Sequence, residues 1–401
     1  MAEETEGLSG DEPLNQSPPP AEWEDISKQF SSLEDVLNAF FKEREEPIEG
    51  ILVSLIAKQH VLLLGPPGTA KTMLTRTIAS AFDLKHFWIL LTRFSTPEDV
   101  FGGIDVKAFV EEHVVRRNTT GMFPEAETAH VDEIFKASPS ILNTFLTAIN
   151  ERVFFNPYPQ EIPLITLVGT SNEVPKEPEL AALYDRFLLR FITPYINSHD
   201  LFVEMLKNNR IEVVPIGRDV LEEAWELVNY VRVPDEIYRS LATIRMELFT
   251  AGVMPSDRRF KQSLELLKAR AVLRGRSEVT EDDLIILRNV LWTYPEERET
   301  VYPIILKVAS PLVWQAKELI EGLESVAAEM FKIRDTSEQM AKAAEVMAKA
   351  KEVHKELLNY RKRLEEQGKE TREIDNAIER AKAIRKKIIT EVMKLDMEEL
   401  E

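Results

Sequence analysis

The residues most able to do chemistry lie in one short segment between an apolar run and a helical pattern. In chain order they are Gly65, Pro66, Pro67, Gly68, Thr69, Ala70, Lys71 and Thr72. Glycines allow a tight turn whose backbone N–H groups point inward, and the start of the next helix adds the positive end of its dipole. The pattern is typical of a phosphate-binding P-loop, in which Lys71 would contact the β- and γ-phosphates and the Thr72 hydroxyl would ligate Mg²⁺.

Position 70 departs from the usual P-loop pattern, because it holds alanine where the pattern has glycine. We expect the loop to tolerate this change, since phosphate binding uses the backbone N–H, which alanine retains. We also expect Ala70 to open the following helix with a negative φ, where alanine is favoured over glycine by roughly 1 kcal/mol.

An acidic pair, Asp132 and Glu133, follows a second strand candidate. Downstream of a P-loop, an aspartate at a strand end holds Mg²⁺, so Thr72 and Asp132 are the predicted metal ligands. Glu133 is placed to orient or deprotonate the attacking water. His130, in the same strand, is expected to be a hydrogen-bonded core or edge histidine. Asn172 ends the next strand, where its amide could hold the lytic water.

The elements that must position these residues alternate between buried strands and helices. Short apolar runs predict strands at 61–64, 87–91, 129–131, 164–169 and 188–192. Strands separated by helices imply a parallel sheet with helices on both faces. Hairpin-like segments at 104–117 and 153–163 interrupt the alternation. The sequence therefore predicts an α/β fold for this part of the chain.

Helical patterns continue to the end of the chain. Residues 198–292 are helical in pattern, with breaks at prolines. Apolar residues from Val346 to Leu364 follow a 4-3-4-3-4 spacing, and a similar stripe begins at Ile374. Two such helices on either side of Gly368 predict an antiparallel coiled-coil hairpin.

Composition excludes several classes of protein. Hydrophobic residues make up 44% and charged residues 30%, as in globular proteins. A formal net charge of -19 argues against gripping nucleic-acid backbones as the main function. The chain has no cysteine, which excludes disulfides, thiol catalysis and Cys-ligated zinc. The most apolar run, 51–57, is shorter than the ~20 residues of a membrane span, and the N-terminus lacks a secretory signal, so we expect a cytoplasmic protein without membrane contact.

Taken together, the ordered motifs resemble the MoxR family of AAA+ ATPases, and most closely its RavA-type branch, over about residues 30 to 295. The segments that carry the resemblance are 65–72, with the Ala-Lys pair that MoxR proteins use, 91–102, 132–137, 141–152, 170–173, 183–187 and 256–259. This resemblance implies a Mg²⁺-dependent enzyme that hydrolyses ATP to ADP and phosphate. It also implies a homo-oligomeric ring, usually a hexamer, with ATP at the subunit interfaces.

The resemblance assigns roles to three further positions. Asn172 matches sensor 1, Arg186 matches the arginine finger that is offered to the neighbouring subunit's ATP, and Arg258 matches the sensor-2 arginine of the helical lid. Alternatives stay open for the last two roles: Arg152 and Arg190 for the finger, and Arg259 for sensor 2. MoxR proteins are generally thought to be chaperone-like, so the resemblance also implies a protein client, or a partner that carries a von Willebrand factor A domain.

Four regions are therefore predicted: a disordered acidic tail (1–28), an AAA+ α/β nucleotide-binding domain (29–197), an α-helical lid (198–298), and a C-terminal helical region with the coiled-coil hairpin (299–401). This last region departs from the RavA pattern, because residues 301–401 show no counterpart of its small partner-binding domain.

Two other functions remain as alternatives. The first is a nucleic-acid-associated motor, since relatives in the same AAA+ clade hold DNA with similar inserted hairpins. The insert at 104–117 contains Lys107, Arg116 and Arg117, but acidic residues balance them. The second is a nucleotide-switched scaffold with little hydrolysis, against which the complete P-loop and acidic pair argue.

Overall fold

A central parallel sheet of five strands organises the first part of the chain. The computed structural model describes residues 20–175, 177–208, 210–367 and 371–393. Its strands are β1 Val61–Leu64, β2 His86–Leu90, β3 Thr128–Asp132, β4 Val153–Phe155, β5 Pro159–Glu161, β6 Thr166–Ser171 and β7 Leu189–Ile192. The central sheet has the order β2-β3-β6-β1-β7, and β4 pairs with β5 in a separate antiparallel hairpin.

Helices connect and follow the strands. They are α1 Pro20–Phe40, α2 Glu45–Ala57, α3 Lys71–Ala81, α4 Pro97–Phe101, α5 Pro139–Glu151, α6 Pro178–Arg186, α7 His199–Lys207, α8 Arg218–Val228, α9 Asp235–Thr250, α10 Asp257–Leu273, α11 Arg298–Ala309, α12 Pro311–Lys332, α13 Thr336–Glu366 and α14 Arg372–Lys387. Among the described residues, no helix is both long and apolar enough to cross a membrane.

The strands behave as buried elements of a parallel sheet. All four residues of β1 are buried, because β1 lies between β6 and β7 and is covered on both faces. Val61 pairs with Val168 on one side and with Leu189 on the other. The predicted parallel α/β sheet is therefore confirmed, with strand ends displaced by one or two residues.

The described residues divide into two compact units. One unit runs to Asp235 and includes Ser256–Thr280; the other comprises Glu236–Pro255 and the chain from Glu281 onward. Within the first unit, α10 packs against α1, α2 and α8. The division of contacts thus differs from the predicted boundary at residue 198, because α8 and α10 pack with the helices beside the sheet.

A buried ionic cluster fastens α10 to its neighbours in the first unit. One carboxylate oxygen of Glu49 accepts hydrogen bonds from Arg270 Nε and Arg274 Nη2, each at 2.9 Å, and Glu34 binds the other side of Arg274. Burial raises the pKa of Glu49, but the two guanidinium groups outweigh this effect and lower its pKa to about 2.

The predicted N-terminal tail differs from the structure. The tail predicted at 1–28 is wrong for residues 20–28, because they form the first turns of α1. Trp23 and Ile26 are buried there in the same 3-4 stripe as Phe30, Leu33 and Leu37, so the apolar face begins before Ser31. Residues 1–19 lie outside the described residues.

The insert at 104–117 is not a strand hairpin. A single antiparallel bridge joins Ile104 to Arg117, and a short π-helical turn, Ala108–Glu112, lies between them.

The C-terminal region is helical, as predicted, but the two helices of the predicted hairpin, α13 and α14, pack with a third helix, α12. The stripe from Val346 to Leu364 is buried against α14 and also against α12, whose Ile320 and Leu323 belong to the same core. The predicted two-helix hairpin is thus part of a three-helix bundle, because α12 carries its own apolar face. The predicted Gly368 turn lies outside the described residues.

Candidate active site

The carboxyl ends of three neighbouring strands bring the predicted chemical groups to one edge of the sheet. β1 leads into the P-loop, β3 ends at Asp132, and β6 ends one residue before Asn172. Because the strands are parallel and adjacent, these ends meet at the same edge, which we call the carboxyl edge.

The P-loop turns where only glycine fits. The Gly65 N–H donates to the carbonyl oxygen of Ser171 at 3.0 Å, which ties the loop to the end of β6. A Cβ atom at Gly65 would lie 2.3 Å from the backbone oxygen of Thr193. The sheet therefore fixes the start of the loop, and a side chain at position 65 would displace it.

Ala70 adopts a left-handed conformation, with φ +62° and ψ 19°. The prediction of a negative φ at this position is wrong. Ala70 precedes the first residue of α3 and its carbonyl oxygen accepts the N–H of Leu74, so the loop enters the helix through a left-handed residue. An L-residue there costs roughly 1–2 kcal/mol, a cost that glycine avoids.

Two cationic side chains lie at the loop. Lys71 Nζ donates to the carbonyl oxygens of Gly65 and Pro66 at 3.0 and 2.8 Å. Burial lowers the pKa of Lys71, and the nearby charges of Asp132 and Glu133 partly oppose this effect. The second cation at the loop is Arg44.

Arg44 was not predicted as a site residue. Its Nη2 donates to the carbonyl oxygen of Pro194 at 2.5 Å and its Nε to that of Thr69 at 3.5 Å. It also lowers the pKa of Lys71, so the two positive charges are close. No local motif marks Arg44, because Thr69 and Pro194 lie far away from it in the sequence.

Asp132 is oriented from one side. The hydroxyl of Thr170 donates to Asp132 Oδ1, and the Glu133 N–H donates to the same oxygen at 3.2 Å. Among the described residues, no hydrogen bond to the other carboxylate oxygen is seen, so this oxygen could bind a ligand. Thr72 and Asp132 thus offer hard oxygen donors, which suit Mg²⁺ with substrate phosphates and water completing the shell. The described residues contain no group of three or more His, Cys, Asp or Glu that could hold a metal.

Glu133 is held by two partners. Asn172 Nδ2 donates to Glu133 Oε1 at 2.8 Å, and Lys136 Nζ lies 3.2 Å from the other oxygen. The structure therefore brings Glu133 and Asn172 together at the carboxyl edge. Lys136 and Thr170 were not predicted as site residues, although Thr170 is a polar residue inside a buried strand.

His130 is fully buried in β3. Its ring nitrogens lie 3.1 Å from Thr75 Oγ1 and 3.4 Å from Thr72 Oγ1. Burial lowers its pKa to about 4, so the ring is neutral at physiological pH. The histidine is hydrogen-bonded and buried as expected, but one of its partners is a predicted metal ligand.

The two predicted arginines lie at the opposite, amino edge of the sheet. Arg186 ends α6 just before β7 begins. Arg258 Nη2 is 3.4 Å from Asn150 Oδ1, and the adjacent Ile149 carbonyl contacts His60, which directly precedes β1. Since β6 alone spans about 17 Å, neither arginine lies near the P-loop of its own subunit.

The alternative arginines have internal partners. Arg190 is fully buried and donates to the carbonyl oxygens of Phe187 and Tyr184. Arg152 Nη2 donates to backbone oxygens of Lys58 and Ile165. Arg259 is buried and pairs with Asp185 at 3.0 Å. By contrast Arg258 is exposed, and the side chain of Arg186 is 23% exposed.

A parallel sheet of this order, with a P-loop after β1 and an acidic pair after β3, the strand two places away, defines a P-loop ATPase of the AAA+ class. A family model described as the MoxR domain of the MoxR–vWA–β-propeller ternary systems matches residues 28–213, and an AAA lid model matches 236–305. The chain belongs to the MoxR family of AAA+ ATPases.

Individual relatives agree with this assignment. An uncharacterized protein of Methanocaldococcus jannaschii is 38% identical over 307 residues, covering 76% of this chain and 82% of that protein. Chaperone MoxR1 of Mycobacterium tuberculosis is 27% identical over 48% of this chain and 52% of its own. The crystal structure of a candidate ATPase from Cytophaga hutchinsonii has a TM-score of 0.58 at 18% identity, covering 72% of this chain and 96% of that one, which shows the shared fold.

Proposed function

We propose that this protein is a Mg²⁺-dependent ATPase that remodels a protein client or partner. The observation that carries the proposal is the meeting, at one edge of the sheet, of the P-loop, the oriented Asp132 and the Glu133–Asn172 pair. Assignment to the RavA-type branch remains a prediction that rests on the sequence motifs.

Each residue at the carboxyl edge has a defined task in this proposal. Lys71 and the loop N–H groups bind the β- and γ-phosphates, and Thr72 with Asp132 would hold Mg²⁺. When bound, Mg²⁺ neutralises charge that develops on the phosphate oxygens. Glu133 accepts a proton from the attacking water, and Asn172 holds the Glu133 carboxylate in place.

The arginines provide the reason for assembly. Arg186 and Arg258 lie at the amino edge, so the phosphates they serve must belong to a neighbouring subunit. A homo-oligomeric ring, usually a hexamer in this class, brings the amino edge of one subunit to the carboxyl edge of the next. We extend the proposal to Arg258: it acts on the neighbour's nucleotide, together with Arg186, because it shares that edge.

A protein client fits the inserted segments better than nucleic acid. The insert exposes Val106, Phe109, Val110 and Val115, and the β4–β5 hairpin exposes Phe155 and Tyr158. The basic side chains of the insert are all paired with acids: Lys107 with Glu111, Arg116 with Asp105 and Glu112, and Arg117 with Glu98. Because these cations are paired with acids and lie beside exposed apolar side chains, the insert is better suited to bind a protein than a phosphate backbone. The matching family model names MoxR systems with a von Willebrand factor A domain, so we propose a partner of that kind.

Phosphate release separates the candidate functions. The wild-type protein should hydrolyse ATP with Mg²⁺ and lose this activity in EDTA, while Glu133→Gln should reduce it by about 10²–10⁴-fold because the general base is lost. Equal rates for the two proteins would favour the scaffold. Stimulation by DNA or RNA at low salt that disappears at high salt would favour the nucleic-acid motor. Affinity capture with Glu133→Gln, which should retain ATP and partner together, identifies the client.

A further inference from the structure

Behind the P-loop, three side-chain hydrogen bonds form a chain that ends at Thr72. The Thr75 hydroxyl donates to the Lys71 carbonyl oxygen at 3.0 Å. His130 Nδ1 lies 3.1 Å from Thr75 Oγ1, and His130 Nε2 lies 3.4 Å from Thr72 Oγ1. All three threonine and histidine side chains are wholly or partly buried.

Counting protons along this chain determines the direction of each bond. A carbonyl oxygen only accepts, so the single hydroxyl proton of Thr75 is used on the Lys71 oxygen. Thr75 Oγ1 must then accept from His130 Nδ1–H. A neutral imidazole with a proton on Nδ1 has a lone pair on Nε2, so Nε2 accepts the hydroxyl proton of Thr72.

This direction matters for Thr72 as a metal ligand. With its proton directed at His130, Thr72 Oγ1 has its lone pairs free for a cation. Without His130, the hydroxyl proton loses this acceptor and can rotate toward the metal position. Hydrogen-bond partners of this kind fix the orientation of the metal-ligating side chains in many metal sites.

We propose that His130 is a positioning residue that fixes the Thr72 hydroxyl for Mg²⁺–ATP, with Thr75 fixing the tautomer of His130. The proposal rests on the ATPase function argued above. It gives a residue of β3 a role that is not part of the acidic pair or of the P-loop pattern. It also explains why a polar ring occupies a buried position between Trp88 of β2 and Val168 of β6.

Two variants of His130 separate orientation from packing. A glutamine side chain is long enough to place an acceptor near Nε2, whereas an asparagine amide reaches only the Nδ1 position. We would measure the dissociation constant of a non-hydrolysable ATP analogue with Mg²⁺ and with EDTA. His130→Asn should lose about tenfold or more of the Mg²⁺-dependent tightening, with unchanged affinity in EDTA, and His130→Gln should retain most of it.

Equal Mg²⁺-dependent tightening in His130→Asn and wild type would overturn the proposal and leave the ATPase function intact. If both variants lost the same affinity for the ATP analogue, with and without Mg²⁺, the result would indicate a packing role alone and would also overturn the proposal. If the wild-type protein bound no nucleotide, the ATPase function itself would fail.

The tautomer gives a second measurement that needs no variant. Long-range nitrogen–proton NMR of protein labelled at histidine should place the His130 proton on Nδ1. Thr75→Val should shift the signal toward the other tautomer. A proton on Nε2 in the wild-type protein would contradict the proposed direction of the chain.

Discussion

Mixing two inactive variants tests whether the arginines act across a subunit interface. Glu133→Gln removes the proposed general base from the carboxyl edge, and Arg186→Ala removes the proposed arginine finger from the amino edge. Each variant alone should be nearly inactive, since loss of an arginine finger costs about 10³–10⁵ in rate. If Arg186 serves the neighbouring subunit, a mixed ring contains intact sites.

The expected recovery follows from the two edges of the sheet. An intact site needs Glu133 from an Arg186→Ala subunit and Arg186 from a Glu133→Gln neighbour. At equal concentrations and random assembly, each requirement is met half of the time, so about one quarter of the interfaces are intact in a closed ring. The sheet separates the two edges by more than an arginine side chain can reach, so no intact site can form within one subunit.

Phosphate release at fixed total protein provides the assay, with the variants co-assembled before ATP is added. The matched control mixes Glu133→Gln with Lys71→Ala, whose defects both lie at the carboxyl edge, and it should not recover. Replacing Arg186→Ala by Arg258→Ala should again give recovery if Arg258 acts across the interface. No recovery above the control, or full activity of Arg186→Ala alone, would refute the proposed arrangement.

Three further predictions concern stability and the metal site. Glu49→Gln should lower the free energy of unfolding by about 3–5 kcal/mol at pH 7, because the guanidinium groups of Arg270 and Arg274 lose the charge of Glu49; the exposed Glu24→Gln should change little in the same urea titration. Since the folded pKa of Glu49 is about 2 against an ordinary value of 4.5, the stabilisation is present above pH 4.5 and is lost as the pH falls toward 2, a loss that Glu49→Gln should not show. Ala70→Gly should raise the melting temperature, because relief of about 1–2 kcal/mol of left-handed strain exceeds the added unfolded-state entropy of about 0.4–1 kcal/mol; a lower melting temperature would contradict this. Thr170→Val should weaken nucleotide binding about tenfold with Mg²⁺ and leave it unchanged in EDTA, because Asp132 loses the side-chain donor that orients it.

The sheet and the P-loop were predictable because their signals are local. A buried strand in a parallel sheet is a short apolar run, and the glycines that follow β1 mark the turn into α3. The assignment of Asp132 and Glu133 to the same site followed from their place at a strand end downstream of the P-loop. Arg44 and Thr170 were not predictable in this way, since their partners Pro194 and Asp132 are brought to them only by the folded sheet.

The wrong predictions have the same physical origin as the failure to predict Arg44 and Thr170. Ala70 lies in a loop whose start at Gly65 is fixed by Ser171 and Thr193, and its φ does not follow the helix propensity of alanine. The start of α1 was misplaced because prolines and acidic residues precede an apolar stripe whose first member, Trp23, stands among charges. The third helix of the C-terminal bundle was missed because a heptad pattern indicates an apolar seam without indicating how many helices cover it.

Helix α10 connects two functional places that are distant in the sequence. Its first turn carries Arg258, and its last turns are fastened through Arg270 to Glu49 on α2, the helix that leads into β1. A helix of 17 residues is a stiff rod about 25 Å long. In a ring of the proposed kind, displacement of Arg258 by an adjoining subunit would bend this rod or shift α2, and we therefore expect occupancy at one junction to be transmitted mechanically to the strand that leads into the next P-loop.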